Sequence, residues 1–318
     1  MKKINLILGI LMIVFAGCAE KNSGEEGLEM DVLPVVPADA QAISLKGAPL
    51  YASVPDARVM EKYEEAKKTY TADPDNADNI IWYGRWAAYT GDYRQAVLIF
   101  TEGIRKFPGD ARFYRHRGHR YISIREFDRA IEDFEAAAVL IEGAKDMVEA
   151  DGQPNAMNIP VSTLHTNIWY HLGLAYYLKH DLENALRIYN EGVTACTNDD
   201  MLVAMTHWLY MTLRLLDKEE QAVQALDPIH EEMNVIENMV YHRLCLFYKK
   251  VLTLEELPDK EDTDIMSDAM AYGVGNWHFY NGLRNEAREI FERICDNKVW
   301  ASFGFIAAEA ALNREFQE

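Results

Sequence analysis

Apolar positions fall into three regimes along the chain. Leu6 to Ala16 is an unbroken apolar run preceded by Lys2 and Lys3. Residues 19 to 55 show no helical period and are interrupted by Pro34, Pro37, Pro49 and Pro55. From about residue 56 onward, apolar side chains return at helical spacing in short stretches. Gly, Asp, Asn or Pro separates these stretches, the punctuation of helices joined by tight turns. The first stretch, residues 57–71, is closed by Pro74 and predicts a single leading helix.

The stretches are copies of one another. Gly84 and Gly118, Tyr93 and Phe127, Ala96 and Ala130, Phe100 and Phe134, and Pro74 and Pro108 are each 34 residues apart. Small residues let two helices cross closely, and aromatics fill the space between neighbouring units. Pro ends a helix because it lacks an N–H and clashes with the preceding turn. This period, with these residue types, resembles the tetratricopeptide repeat (TPR), a helix–turn–helix unit. Trp169, Leu172, Gly173, Tyr176, Ala185 and Tyr189 make a third copy. A fourth keeps Leu209 and Ala222 but has Tyr210 where the family places Gly. A fifth first-helix carries Tyr241, Leu244, Cys245 and Tyr248, and a sixth copy has Gly275, Gly282, Ala287 and Phe291. Trp300, Phe303, Gly304 and Ala307 begin a terminal capping helix. The resemblance covers about residues 56–318. It implies an all-α solenoid of about five to six repeats, curving around a concave groove. The period breaks once: Ala130 and Ala185 are 55 residues apart, which places an inserted loop at 143–166. Long ordered loops are often functional, and surface insertions are also well tolerated, so both readings stand.

The apolar run at the start is too short to span a bilayer and reads as a signal peptide, residues 1–17. Phe15-Ala16-Gly17-Cys18 resembles the lipobox of bacterial lipoproteins, which implies cleavage before Cys18 and lipidation of its thiol, palmitate included. Ala19 after the cysteine points by the same resemblance to the outer membrane, facing the periplasm of the cell envelope. Residues 18–55, acidic and Pro-containing, are expected to be a flexible tether.

Charge sharpens the picture. The 318 residues carry 32 Lys plus Arg against 51 Asp plus Glu, a net charge of −19. Nucleic acid and anionic membrane surfaces need a cationic field, so neither is an expected partner beyond the lipid anchor. Carrying the family's concave positions onto this chain gives Trp82, Arg85, Tyr89, Arg112, Arg115, His116, His119, Tyr170, His171, Tyr177, His207, Trp208, Arg214, His242 and Arg243. Five arginines and five of the nine histidines gather there in an acidic chain. The implied partner is an acidic peptide segment or a carboxylate, bound in a basic and aromatic groove, with partial histidine protonation making binding pH-sensitive. Arg117 falls where the family buries an apolar side chain and is expected to have an internal partner.

Other chemistry is thinly represented. Four cysteines, widely spaced, make neither a disulfide scaffold nor a zinc module. His116 and His119 share a helix face but no third ligand follows, so no metal or cofactor is expected. No phosphate-binding Gly loop, Gly-x-Ser-x-Gly elbow or His-Glu-x-x-His helix occurs. The leading reading is a non-enzymatic adaptor. A solute-binding lipoprotein for an anionic peptide or sugar is the alternative, favoured by a closed pocket. An envelope hydrolase with a site near 143–166 is the third.

Overall fold

Most helices begin on a short polar side chain that accepts an amide hydrogen bond. In the computed structural model, which describes residues 33–257 and 267–317, Asn76, Asp92, Asp110, Asp181, Asn198 and Ser302 each cap the helix that follows. Such caps satisfy amides that lack a partner in the first turn, at about 1 kcal/mol each. They open α2 (Ala77–Tyr89), α3 (Tyr93–Lys106), α4 (Ala111–Ser123), α7 (Leu182–Ala195), α8 (Asp199–Leu215) and α13 (Phe303–Glu315). The remaining helices are α1 (Ala57–Ala72), α5 (Phe127–Leu140), α6 (Leu164–Leu178), α9 (Glu219–Ala225), α10 (Met239–Tyr248), α11 (Asp268–Tyr280) and α12 (Arg284–Cys295).

Turn geometry repeats with the helices. Gly91, Arg125, His180, Asp217, Lys250 and Gly282 all adopt positive φ, each directly after the first helix of a unit. The left-handed residue reverses the chain so that the second helix folds back on the first. Helices α2 and α3, α4 and α5, α6 and α7, α8 and α9, and α11 and α12 therefore pair as hairpins, and each hairpin packs on the next. The result is an all-α solenoid. Gly118 shows why the repeat needs its glycine: a Cβ there would lie 2.9 Å from Phe134. Arg117 beside it donates to both oxygens of Asp133 and to Thr101, the internal partner its position requires.

Two units depart from the pattern. Tyr210, in place of glycine, stacks on Tyr248 of α10 with ring centroids 4.3 Å apart, and α9 is only 7 residues long. The unit headed by α10 has a 3-10 turn at Leu254–Glu256 in place of a second helix among the described residues.

The expectation of a tether over 18–55 fails for its described part. Residues 34–55 belong to the same compact unit as the helices. Strands β1 (Ala40–Ile43) and β2 (Pro49–Tyr51) pair antiparallel, with Ala42 opposite Leu50. Ala40 and Ala42 are buried. The hairpin is held by Leu45 N donating to Glu309 at 3.0 Å, Trp300 Nε1 to the Tyr51 carbonyl at 2.7 Å, and Arg94 to the Pro34 carbonyl at 2.9 Å. Its anchors are far away in sequence, which a composition rich in Pro and acid does not advertise. The signal peptide, Cys18 and the tether up to residue 32 lie outside the described residues. No described helix is long and apolar enough to cross a membrane.

The last helix changes the inner face. Helix α13 packs on α11 and α12 and reaches α6. Phe303 at its start lies against the rings of His119, Tyr170 and His171. Glu309 pairs with Arg125 at 2.9 Å, both fully enclosed, and Arg125 also donates to the Trp300 carbonyl. The capping helix seals the groove as well as the stack.

Candidate functional site

The concave positions separate into three groups. Arg85, Tyr89, Arg115, His116 and His119 come together around a cavity of about 210 Å³. Trp82 flanks this group, its ring 4.4 Å below the Arg85 guanidinium.

A second group is consumed in packing. Tyr170 and His171 are buried beneath Phe303. Tyr170 also accepts from Trp208 Nε1 at 3.0 Å and hydrogen-bonds Tyr241. Tyr177 bonds Tyr272 at 2.8 Å and accepts from Asn276, both on α11. His207 is sandwiched between Tyr241 and Tyr248. His242 Nε2 meets the His230 carbonyl at 2.8 Å. Helix α13 covers Tyr170 and His171, α11 covers Tyr177, and α10 covers His207.

A third group is spent on structural pairs. Arg112 is clamped by Asp110 and Asp78 at 2.6 Å each, which raises its pKa further. Arg243 donates to the Leu257 and Glu256 carbonyls. Arg214 stacks over Tyr280 at 4.5 Å and donates to Tyr210 and Asn281.

The cavity is built by α2, α4 and α6, with the inserted segment across it. Three and four residues along α4 bring Arg115, His116, His119 and Arg120 to one side. Helix α2 presents Arg85 and Tyr89, and α6 presents Asn167. The insertion is pinned at its base: Val148 bridges Thr163, Glu149 N donates to the Ser162 carbonyl, and Leu164 N to the Met147 carbonyl. That pin delivers Glu149 into the site. One Glu149 oxygen stands 3.1 Å from Arg115 Nε and accepts from Asn167 Nδ2 at 3.1 Å, and the other is 3.7 Å from His116 Nε2. Arg115 Nε is sealed from solvent and the contact is an ion pair without hydrogen-bond alignment. Arg115 Nη1 lies 3.0 Å from His116 Nδ1, and Arg85 Nη1 donates to the Ala150 carbonyl at 2.7 Å.

Electrostatics follow from burial. Desolvation, reinforced by neighbouring arginines, pushes His116 and His119 well below the usual imidazole pKa; His171 is lowered by burial and Arg115. All three are neutral near pH 7, so the expected pH sensitivity through their partial protonation does not arise in the folded chain. Burial lowers Arg120 to about 10 and also lowers Arg115, where Glu149 opposes the effect. Arg120 has no carboxylate partner among the described residues and rests over the Tyr93 ring at 5.6 Å. Among the described residues no group of His, Cys, Asp and Glu is arranged to hold a metal.

Sequence reasoning missed Arg120, Glu149 and Asp151 in this lining. Arg120 lies outside the family's concave positions, though its spacing from His116 on α4 could have pointed to it. The two acids sit in an insertion that has no repeat register.

No family model matches the chain, and no curated protein matches it. Among solved structures, the chain is similar to the crystal structure of YrrB, described as a TPR protein with an unusual peptide-binding site. The identity is 14%, the match covers 78% of this chain and 98% of that one, and the TM-score is 0.42. It is also similar to the APC/C hetero-tetramer Cut9-Hcn1, at 16% identity over 82% of this chain and 40% of that one, with a TM-score of 0.46. A third similarity is to Naa15/Naa10 bound to HypK-THB, at 15% identity over 79% and 38%, with a TM-score of 0.35. This chain spans less than half the length of the latter two.

Proposed function

We propose that the chain is a non-catalytic binding scaffold, lipid-anchored through Cys18 in a bacterial envelope, that holds a protein partner by an acidic group. The observation that carries this reading is the convergence of Arg85, Arg115 and Arg120 on one cavity in a chain of net charge −19. A cationic recess in a negative molecule concentrates anions locally and repels them elsewhere, which favours a partner with one well-placed acid. An extended acidic segment laid along the whole inner face has no path past His171, where Phe303 sits. The partner therefore contributes a single acidic group from an exposed end or loop. The anchor rests on Phe15-Ala16-Gly17-Cys18 and supplies a high local concentration at the membrane.

The cavity's hydroxyls are engaged in ways that do not build a nucleophile. Ser162 Oγ accepts from Asn167 at 3.0 Å, and Tyr89 Oη is 3.4 Å from Arg85. The test is a paired capture from envelope extract, with the full chain and Arg85→Gln as baits and Arg314→Gln as a charge-matched control outside the cavity. A protein held by the first and third baits and lost from the second supports the scaffold. Identical sets on all three, or none on any, overturn it.

A further inference from the structure

Three guanidinium groups and two carboxylates face the cavity: Arg85, Arg115 and Arg120 against Glu149 and Asp151. With the imidazoles neutral, one positive charge is left over. Its location is also specific. Arg115 faces Glu149, and Arg85 is held by the Ala150 carbonyl, whereas Arg120 has a ring contact and no acceptor among the described residues. A half-buried guanidinium with unused donors is costly, and an anion arriving opposite it recovers that cost. Arg115, more than nine-tenths buried, adds a second poorly satisfied donor at Nε.

The surplus selects the ligand's charge. One added negative charge neutralises the site, whereas a dianion meets Glu149 and Asp151 with nothing left to balance it. The rest of the wall adds no further net charge and is mixed: Tyr89, His116, His119, Ser162 and Asn167 are polar, and Ala88, Phe100 and Ala150 form an apolar patch. The polar groups match hydroxyls, and the apolar patch matches the C–H face of a ring. The volume of about 210 Å³ suits a small solute. We infer that this cavity is a binding site for a small hydroxylated monocarboxylate, the class of the sugar acids, with Arg120 as the carboxylate-pairing residue. This goes beyond the partner reading, and because both rest on the same cavity, a sugar acid and a partner's acidic group compete for it.

The experiment is calorimetric titration of the full chain with glucuronate, glucuronamide, acetate, inorganic phosphate and a tripeptide with a free carboxyl end. Glucuronate is expected to bind, glucuronamide not to bind, and acetate to bind more weakly for want of hydroxyl contacts. Arg120→Gln is expected to weaken glucuronate by about 10- to 100-fold, the loss of one charge-assisted hydrogen-bonded pair. Arg120→Lys, which keeps the charge and loses the planar fork, is expected to fall between the two. Both variants are checked by thermal melting, and the Arg120 Nε–H resonance of the unmodified chain is followed on titration, so that a misfolded variant does not decide the question.

Binding of phosphate more tightly than glucuronate at about pH 8.5, where phosphate is a dianion, overturns the charge argument. Tighter binding of the tripeptide assigns the cavity to a chain end and overturns the solute class. No binding of glucuronate at about 10 mM, equal binding of glucuronamide, or an unmoved Arg120 resonance also overturns it. Loss of glucuronate binding with capture of a protein intact, or the reverse, separates this inference from the scaffold.

Discussion

At the scale of single residues, the chain places charges where water cannot reach and balances nearly all of them. Arg125 carries two burdens: positive φ of 68° in a turn that glycine occupies elsewhere, and a buried charge. Glu309, 184 positions later, answers the second. Breaking a buried pair strands its partner, so Glu309→Ala is expected to cost about 3–5 kcal/mol in urea unfolding. Glu309→Leu combined with Arg125→Met is expected to cost far less, because no charge is left behind. If the double variant is as damaged as the single, the pair is more than a charge balance. The imidazoles make the opposite prediction for pH. His207 falls to about 3 from desolvation, and His116, His119 and His171 are also lowered. The unfolded chain takes up these protons below about pH 6.5 and the folded chain does not. Stability is therefore fully present above that pH and declines as pH falls towards the folded values, by up to about 1.4 kcal/mol per pH unit for each imidazole. Urea midpoints at about pH 7.5 and pH 5 measure this, and His207→Phe is expected to flatten the slope. An unchanged midpoint would show that the imidazoles are solvated.

At the scale of elements, the first three hairpins were legible because Gly, Ala, aromatic and Pro positions recur at a fixed 34-residue period. Each has a mechanical cause in the structure, as Gly118 under Phe134 shows. The hairpin β1–β2 was not legible. Its strands are 4 and 3 residues long, and its support comes from Glu309, Trp300 and Arg94, far away in sequence. The positive-φ turns at His180, Asp217 and Lys250 were hidden for a different reason, since none of these types announces that conformation as Gly91 does. Helix α13 was read correctly as a terminal helix, but its inward seat was not foreseen, because nothing local in Phe303 or Glu309 says which surface they meet. Gly304 fixes that seat. A Cβ there would run into the Asp268 backbone carbonyl of α11, which no side-chain rotation relieves. Gly304→Ala is expected to destabilise by about 3 kcal/mol or more in thermal unfolding, at the upper end for overpacking. A neutral outcome would mean that α13 is loosely held.

At the scale of the whole molecule, sealing the inner face decides what remains available. Of fifteen concave positions carried over from the repeat, the structure draws five around one cavity, spends Arg112, Arg214 and Arg243 on structural pairs, and buries others beneath α10, α11 and α13. Sequence could locate the concave positions because they follow the repeat register. It could not say which would stay open, because that depends on how far the stack curves and on where its last helix returns. We propose that, among the described residues, ligands enter at Arg85, Arg115 and Arg120, with α13 remaining in place. Hydrogen exchange of the full chain, with and without a short peptide that carries one acidic side chain, tests it most directly. Protection confined to residues 85–89, 112–120 and 149–153, with α13 exchanging at its unliganded rate, is the expected result. Protection spreading along α6, α8 and α10 while α13 exchanges faster would show that the groove opens and would contradict it.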